Sequence, residues 1–433
     1  MNAPRALPAA DFAELVQTDR VHSAIYTDPA VFEAEMERIF HRAWLCLGHE
    51  GEIPNPGDYR ATTIGRAPVL MIRGDDGRVR VFMNRCRHRG MTVCEAETGN
   101  EKFLRCWYHG WVYRNTGELE DVPLPQAYGP EFRRQDFSLT PVPRMDTYRG
   151  FVFASLAQDG PSLLDHLGVA RRYLDIFVDA SPTGQIDVTA GVHRTRYRGN
   201  WKFVGMDGYH PHYTHRSVMD SWKRRSGGTL ADTHHIKHGD PFADESGNLT
   251  RDAGNGHVLL DMFPTRLAHV DGYLDGLRKR PGGDDYIAAM FQAYGPERGR
   301  ELLAWAGDPH VGIYPNLQLI GIQIRIIRPP AADDTEVLMF PALLKDVPPS
   351  INELRLRQHE SFYGPAGAGA PDDAELFERN QEGLRATVEP WVYLARGLHR
   401  EKRDTDGTLI GMPGDETTQR GQLRAWKRLM SEA

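Results

Sequence analysis

Two short segments of this 433-residue chain each place a cysteine close to a histidine. They are Cys86-Arg87-His88 and Cys106-Trp107-Tyr108-His109, followed by the turn-forming Gly90 and Gly110. Two thiolates and two imidazoles can bind zinc, or a [2Fe-2S] cluster in which histidines replace the cysteines on one iron. Zinc sites usually group cysteine with cysteine and histidine with histidine, whereas here each loop supplies one of each. This alternation favours the iron-sulfur cluster.

A second group of metal-binding residue types lies at Asp207, His210 and His215. Asp207 and His210 share one face of a helix, but His215 is about 140° away from His210 on a straight helix. Pro211 supplies the necessary break, because it lacks the N–H that a continuous helix requires. Two histidines and a carboxylate can bind iron(II) and leave positions open for dioxygen. The alternative is a zinc hydrolase that uses the same residues, with Asp207 as the base.

The spacing of the first two loops resembles that of the Rieske domain, with the resemblance beginning at Ala43. Asn84–Gly90 and Cys106–Trp111 resemble the form found in Rieske non-heme iron oxygenases. Rieske proteins of respiratory complexes usually carry two extra cysteines, whereas here Cys94 has no second one in these loops, which favours the oxygenase branch. The resemblance implies a [2Fe-2S] cluster bound by Cys86, His88, Cys106 and His109.

The run Asp-X2-His-X4-His resembles the ferrous site of the same family. The resemblance implies that His210 and His215 bind iron and that Asp207 bridges the two metal centres. The third ligand in this family is an aspartate of an Asp-Asp pair that opens a helix, and Asp372-Asp373 matches it. Asp373 is the expected ligand, and Asp372 is expected to cap the helix or support the ligand. A Glu-Asn pair that is common in the family before the bridging aspartate is missing here.

The whole chain, including Gln419-Arg420-Gly421 and Trp426–Met430, resembles the large (alpha) subunit of aromatic-ring-hydroxylating dioxygenases. This implies cis-dihydroxylation of an aromatic ring in the catabolism of aromatic hydrocarbons. The substrates that the resemblance implies include aromatic carboxylates. A Rieske monooxygenase that hydroxylates or demethylates an aromatic acid uses the same metals and is the alternative. A non-catalytic Rieske electron carrier is disfavoured because it has no use for a second metal site.

The resemblance also implies partners. We expect electrons from NADH through a separate reductase, with or without a ferredoxin, because no Gly-X-Gly-X-X-Gly motif opens a helix in this chain. A homotrimer is expected, with or without a small beta subunit (α3β3). In it, His109 would meet Asp207 of the partner subunit.

Charge and hydropathy exclude other classes of function. The chain has 52 Lys+Arg against 59 Asp+Glu and no basic block, so nucleic acid is not an expected partner. Its apolar stretches are far shorter than the roughly 20 residues of a membrane-spanning helix. The first ten residues show no secretory signal, so a cytoplasmic location is expected.

Periodicity predicts an α+β chain in three parts. Residues 1–42 are expected to be helical, residues 43–156 to be all-β, and residues 157–433 to hold an antiparallel sheet flanked by helices. The family resemblance implies that residues 43–156 are the Rieske [2Fe-2S] domain, that residues 157–433 are the catalytic mononuclear iron domain, and that the N-terminal helical segment packs on the catalytic domain. Helices are predicted at 11–47, 163–177, 201–222, 375–396 and 416–430, a strand pair at 185–198, a hairpin at 320–344 and a long loop at 223–257.

Nearness to the iron ligands and strand alternation predict the substrate pocket. The predicted lining residues are Phe203, Val204, Met206, Val258, Leu317 and Leu319. Arg325 and Arg328 are candidates for a bidentate clamp on a substrate carboxylate, although most such arginines pair with local acids.

Overall fold

A computed structural model describes residues 9–207, 246–367 and 369–432. The chain folds as two compact units. The smaller unit is Phe40–Leu163, and the larger unit joins Met1–Ile39 to Leu164–Ala433. No described helix is long and apolar enough to cross a membrane.

The described strands are numbered here in chain order. They are β1 Arg20–His22, β2 Leu45–His49, β3 Asp58–Ile64, β4 Ala67–Arg73, β5 Val79–Met83, β6 Thr98–Asn100, β7 Phe103–Arg105, β8 Val112–Arg114, β9 Leu119–Asp121, β10 Arg144–Tyr148, β11 Phe151–Ser155, β12 Ile186–Asp187, β13 His193–Tyr197, β14 Leu249–Asp252, β15 Val258–Asp261, β16 Val311–Ile313, β17 Leu317–Ile320, β18 Gln323–Ala331, β19 Asp334–Pro341, β20 Leu343–Leu344, β21 Trp391–Tyr393, β22 Lys402–Arg403 and β23 Leu409–Gly411.

The described helices are of three kinds. The α-helices are α1 Ala24–Thr27, α2 Pro29–Glu35, α3 Leu163–Leu167, α4 Arg171–Val178, α5 Phe263–Ala268, α6 Val270–Arg278, α7 Gly283–Tyr294, α8 Pro296–Trp305, α9 Pro349–Gln358, α10 Ala370–Gly383 and α11 Thr417–Ser431. π-Helical segments occur at Met36–Phe40, Phe203–Asp207 and His359–Tyr363. Short 3-10 helices occur at Ala9–Leu15, Glu50–Glu52, Pro125–Ala127, Arg134–Phe137, Gly168–Ala170 and Leu398–Arg400.

The smaller unit is built from three antiparallel sheets, in the orders β5-β4-β3-β6, β10-β11-β2 and β7-β8-β9. Its core includes Leu70, Leu104 and Tyr113, and Cys86 and Cys106 are buried in the same cluster. The all-β character expected for this region is confirmed.

The larger unit is organised by a nine-stranded antiparallel sheet in the order β13-β19-β18-β17-β16-β15-β14-β23-β22. Residues directly opposite each other on adjacent strands point to the same face. One such row crosses seven strands and consists of His193, Met339, Arg325, Gln318, Gly312, Val258 and Asp252. Helix α11 lies on this face, because Arg424 on that helix pairs with Asp252 at 2.8 Å. The predicted α+β class is therefore confirmed.

Three predicted elements differ from the structure. The predicted helix over 11–47 is interrupted by β1 and ends at Phe40, because the continuous apolar run after it forms the fully buried strand β2 against β11. The predicted helix over 375–396 is α10, which starts earlier and ends at Gly383, a poor helix former. The two predicted strands in 185–198 exist but do not pair with each other, since β12 joins β20 and β13 joins β19.

The helix predicted at 163–177 is confirmed and consists of α3 and α4. The helix predicted at 416–430 is confirmed as α11. The predicted hairpin is confirmed by the antiparallel pairing of β18 with β19. The helix predicted at 201–222 begins at Trp201, and its part beyond residue 207 lies outside the described residues. The predicted loop 223–257 is described only from residue 246, and that part contains β14.

A fully buried carboxylate joins three distant segments of the larger unit. Glu35, at the end of α2, is 0% exposed and accepts hydrogen bonds from Lys202 Nζ at 2.6 Å and Trp201 Nε1 at 2.8 Å. Trp426 Nε1 on α11 donates to the same carboxylate at 2.6 Å. Burial lowers the pKa of Lys202, and the charge of Glu35 opposes that shift. The ion pair thus holds α2, the start of the Phe203–Asp207 segment and α11 together.

Glu35→Ala should lower the free energy of unfolding by about 3–5 kcal/mol, since it leaves the Lys202 ammonium buried without its partner. Urea denaturation followed by tryptophan fluorescence measures the change. The exposed Glu37 on the adjoining turn provides a matched control, and Glu37→Ala should stay within about 0.5 kcal/mol of the wild type. Equal denaturation midpoints for the two variants would show that the buried ion pair does not stabilise the fold.

Candidate metal centres

The two cysteine-histidine loops have the same backbone structure. In Cys86–Met91 the N–H of the first residue donates to the carbonyl of the last at 2.7 Å, and Gly90 N–H donates to the carbonyl of the first at 3.0 Å. Cys106–Trp111 has the same two bonds, at 2.8 and 2.9 Å, with Gly110 in the place of Gly90. Both glycines have positive φ, of 83° and 69°, a conformation that side-chain-bearing residues rarely adopt. The sequence therefore builds one ligand-presenting turn twice.

The four predicted cluster ligands come together between these loops. The thiols of Cys86 and Cys106 are each 2% exposed and form no disulfide. Burial raises the pKa of Cys106, and the neighbouring Cys86 thiol raises it further. The rings of His88 and His109 have centroids 4.7 Å apart.

One imidazole nitrogen tests whether these residues fit a metal cluster. His88 Nδ1 is buried and has no hydrogen-bond partner in the described part of the chain. Buried polar atoms without a partner are uncommon and call for an explanation such as a bound ion. Two buried thiols that interact with each other and two neighbouring imidazoles, one with an unsatisfied nitrogen, suit a [2Fe-2S] cluster.

Aromatic side chains surround these ligands. Tyr113 Oη lies 3.2 Å from Cys86 Sγ and accepts a hydrogen bond from the N–H of Arg87 at 3.0 Å. Because that hydroxyl accepts from the backbone, its own hydrogen is free to point at the sulfur. Trp111 stacks on His88, with centroids 5.0 Å apart and planes 7° apart. Sequence reasoning missed Tyr113, since a single tyrosine in a strand carries no distinguishing signal.

The predicted bridging carboxylate and the predicted iron ligands fall on two described elements and one stretch that is not described. Asp207 ends the π-helical segment Phe203–Asp207. Asp373 lies in the first turn of α10, where its N–H donates to Gly369 O at 3.0 Å. Gly369, not Asp372, occupies the N-cap position, so the helix-capping role predicted for Asp372 is wrong. The predictions for His210 and His215 lie outside the described residues.

The segment that carries Asp207 is held on the face of the sheet. Gln318 Nε2 on β17 donates to Val204 O at 2.5 Å. Phe203 stacks between Tyr26 and Phe377, with centroid distances of 4.9 and 6.0 Å. Sequence reasoning missed Gln318, although a polar residue inside an apolar strand run was a usable signal.

The six predicted pocket residues are all buried but do not lie together. Phe203, Val204 and Met206 share the π-helical segment, and Val258 lies in the same row of the sheet as Gln318. Leu317 and Leu319 flank Gln318 and therefore point to the opposite face of β17. Phe203 and Met206 border a cavity of about 250 Å³ that Tyr26, Leu384 and Val392 also line.

Comparisons with known proteins agree with this geometry. Residues 43–143 match the Rieske [2Fe-2S] domain. The chain is 33% identical to the anthranilate 1,2-dioxygenase large subunit of Acinetobacter baylyi, over 88% of this chain and 81% of that protein. It is 32% identical to the biphenyl 2,3-dioxygenase alpha subunit of Rhodococcus jostii, over 98% of this chain and 92% of that protein.

A crystal structure of naphthalene 1,2-dioxygenase from Rhodococcus sp. bound to indole is similar in fold, with a TM-score of 0.78 and 28% identity over 95% of this chain and 94% of that one. The chain therefore belongs to the family of Rieske aromatic-ring-hydroxylating dioxygenases, oxidoreductases with a Rieske [2Fe-2S] cluster and a mononuclear iron, and is of their large-subunit type.

Proposed function

We propose that the chain cis-dihydroxylates the ring of an aromatic carboxylate, with electrons supplied from NADH through a separate reductase. The observation that carries the oxygenase function is the pair of matched loops that present two buried thiols and two imidazoles to each other. The carboxylate is supported by relatives named for anthranilate, 2-halobenzoate and toluate, each 33% identical to this chain.

In this proposal Cys86, His88, Cys106 and His109 hold the cluster, and His210, His215 and Asp373 hold the iron. The bound cluster would supply an electron, and the iron would supply the site of dioxygen activation. The protein excludes water from the two thiols and directs the Tyr113 hydroxyl at Cys86 Sγ. Asp207 would position histidines on both sides of it and couple the two centres.

We further propose a homotrimer, with or without a small beta subunit, in which His109 meets Asp207 of the partner subunit. The exposed surface beside His109 supports this arrangement. Trp107 is 78% exposed and Tyr108 is 58% exposed, although large aromatic side chains are usually covered. An interface at this loop would cover both.

Oxygen-isotope labelling tests the proposed reaction. The purified chain, supplied with NADH and a reductase, should convert benzoate under ¹⁸O₂ into a cis-diol carrying both labelled oxygen atoms, as mass spectrometry measures. A phenol with one labelled oxygen would identify a monooxygenase. No oxygenated product from any arene would refute the proposed function.

Asp207→Ala should leave the cluster and the mononuclear iron bound yet abolish turnover, because it removes only the coupling between them. Iron and sulfide analysis measures the metal content, and NADH-dependent product formation measures the turnover. Full activity of the variant would refute the bridging role.

Tyr113→Phe should lower the reduction potential of the cluster by roughly 40 mV. The Tyr113 hydroxyl stabilises the more negative, reduced state, a hydrogen bond contributes about 1 kcal/mol, and a one-electron couple shifts by about 59 mV per 1.4 kcal/mol. Redox titration of the visible absorbance measures the shift. Tyr128→Phe, which removes the hydroxyl that Trp111 Nε1 donates to at 3.1 Å, is the control and should change the potential far less. Equal potentials in Tyr113→Phe and the wild type would contradict the hydrogen bond to sulfur.

A further inference from the structure

Arg325, in the middle of β18, is a buried cation with an unusual set of partners. Its side chain lies in the interior, and the residue is only 4% exposed. Burying a guanidinium is costly unless a charged or strongly polar group compensates it. The groups that contact this side chain therefore indicate its function.

Other buried cations of the described chain have such compensation. Lys202 pairs with Glu35, and Arg420 pairs with Glu401 at 3.0 Å. Arg60 pairs with Glu52. Arg355 instead donates to the carbonyls of Ala342 and Ala306.

Among the described residues, Arg325 has neither a carboxylate partner like those of Lys202, Arg420 and Arg60 nor the two carbonyl acceptors of Arg355. Its one hydrogen bond within the described residues runs from Nε to Gln323 Oε1 at 3.0 Å, and no carboxylate oxygen of those residues lies within 4.0 Å of its guanidinium. The second arginine of the predicted clamp, Arg328, pairs with Glu336 at 2.9 Å, so it is not available to bind a ligand carboxylate. Within the described part of the chain, the Nη1 and Nη2 donors of Arg325 have no hydrogen-bond acceptor and can bind a ligand.

The guanidinium is held in one orientation. Gln323 Nε2 lies 2.8 Å from His359 Nδ1, which leaves Gln323 Oε1 to accept from Arg325 Nε. The ring of Tyr363 covers one face of the guanidinium, with its centroid 5.0 Å from Arg325 Cζ. A fixed planar fork of this kind suits bidentate binding of a carboxylate.

Arg325 also lies on the side of the sheet where the iron-binding segments are. It is directly opposite Gln318, which donates to Val204 O three residues before Asp207. On its other side, Tyr363 lies ten residues before Asp373, and the charges of both Arg325 and Asp373 act on the Tyr363 hydroxyl. Arg325 is therefore opposite the residue that holds the segment carrying Asp207, and it contacts Tyr363, on which the charge of Asp373 acts.

We propose that Arg325 binds the carboxylate of the aromatic substrate through Nη1 and Nη2 and so orients the ring toward the iron. The proposal rests on the proposed function, because it names the substrate class of the same site. It makes an aromatic carboxylate, rather than a neutral arene, the preferred substrate. Arg325 is then a substrate-binding residue, and Gln323 and Tyr363 are positioning residues.

The test measures binding to the oxidised holoenzyme by calorimetry, so that no reductase is needed. The probes are benzoate and its neutral analogue benzamide. The wild type should bind benzoate at least roughly tenfold more tightly than benzamide. Arg325→Gln should weaken benzoate binding by roughly 30-fold or more, since it removes one partner of a buried charge pair, while benzamide binding changes less than about threefold.

Two further variants sharpen the result. Arg328→Gln removes a cation three residues along the same strand and should leave the binding of both probes unchanged. Arg325→Lys keeps the charge but loses the fork, so benzoate binding should fall by roughly tenfold. If Arg325→Gln does not fold, the comparison of Arg325→Lys with the wild type tests the proposal instead.

Two outcomes would overturn the assignment. Equal losses for benzoate and benzamide in Arg325→Gln would show that Arg325 only supports the fold around Tyr363. Unchanged benzoate binding in that variant, with arenes still oxidised in the ¹⁸O₂ assay, would refute the anchor and leave the dioxygenase function intact. If the wild type oxidises no arene in that assay, the proposed function fails, and the anchor fails with it.

Discussion

The larger unit depends on a single carboxylate that has no access to water. Glu35 receives three hydrogen bonds, from Lys202 and from two tryptophans that are each 0% exposed. A buried ion pair is weak evidence for net stability, because desolvation offsets most of the attraction. Its effect is geometric: only one arrangement of α2, residues 201–202 and α11 satisfies all the donors at once. Any other arrangement leaves a charge buried and unpaired.

That constraint determines where the π-helical segment that carries Asp207 begins. Lys202 precedes the π-helical segment Phe203–Asp207 directly, and Gln318 binds the carbonyl of Val204 inside it. The segment is thus held by a buried charge at its start and by the sheet at its second residue. π-Helical turns are uncommon and occur frequently at functional sites. The position of Asp207 at the end of such a turn agrees with that tendency.

The cluster site could be predicted from the sequence because its chemistry is local. Each loop contains its own cysteine, histidine and glycine, so spacing and the resemblance to the Rieske domain predicted the grouping of Cys86, His88, Cys106 and His109. The contacts of Glu35 could not be predicted in this way, since Lys202 lies 167 residues away and Trp426 lies 391 residues away. The predicted pairing of β12 with β13 was wrong because pairing, too, depends on residues that are far apart in the sequence. Alternation predicts that β12 and β13 are strands, but the choice of their partners depends on the whole sheet.

The polar residues in the row across the nine-stranded sheet differ in whether they have protein partners that explain their burial. Asp252 at one end of the row pairs with Arg424, and Gln318 near the centre donates to a backbone carbonyl. His193 at the other end lies 3.2 Å from Glu360. Each of these groups therefore has a protein partner that accounts for its place on a covered face. Arg325, between Gln318 and Met339, carries a full charge, and among residues 9–207, 246–367 and 369–432 it is compensated only by an amide oxygen and an aromatic face. Folding alone does not account for a cation at that position, whereas binding of an anionic substrate does.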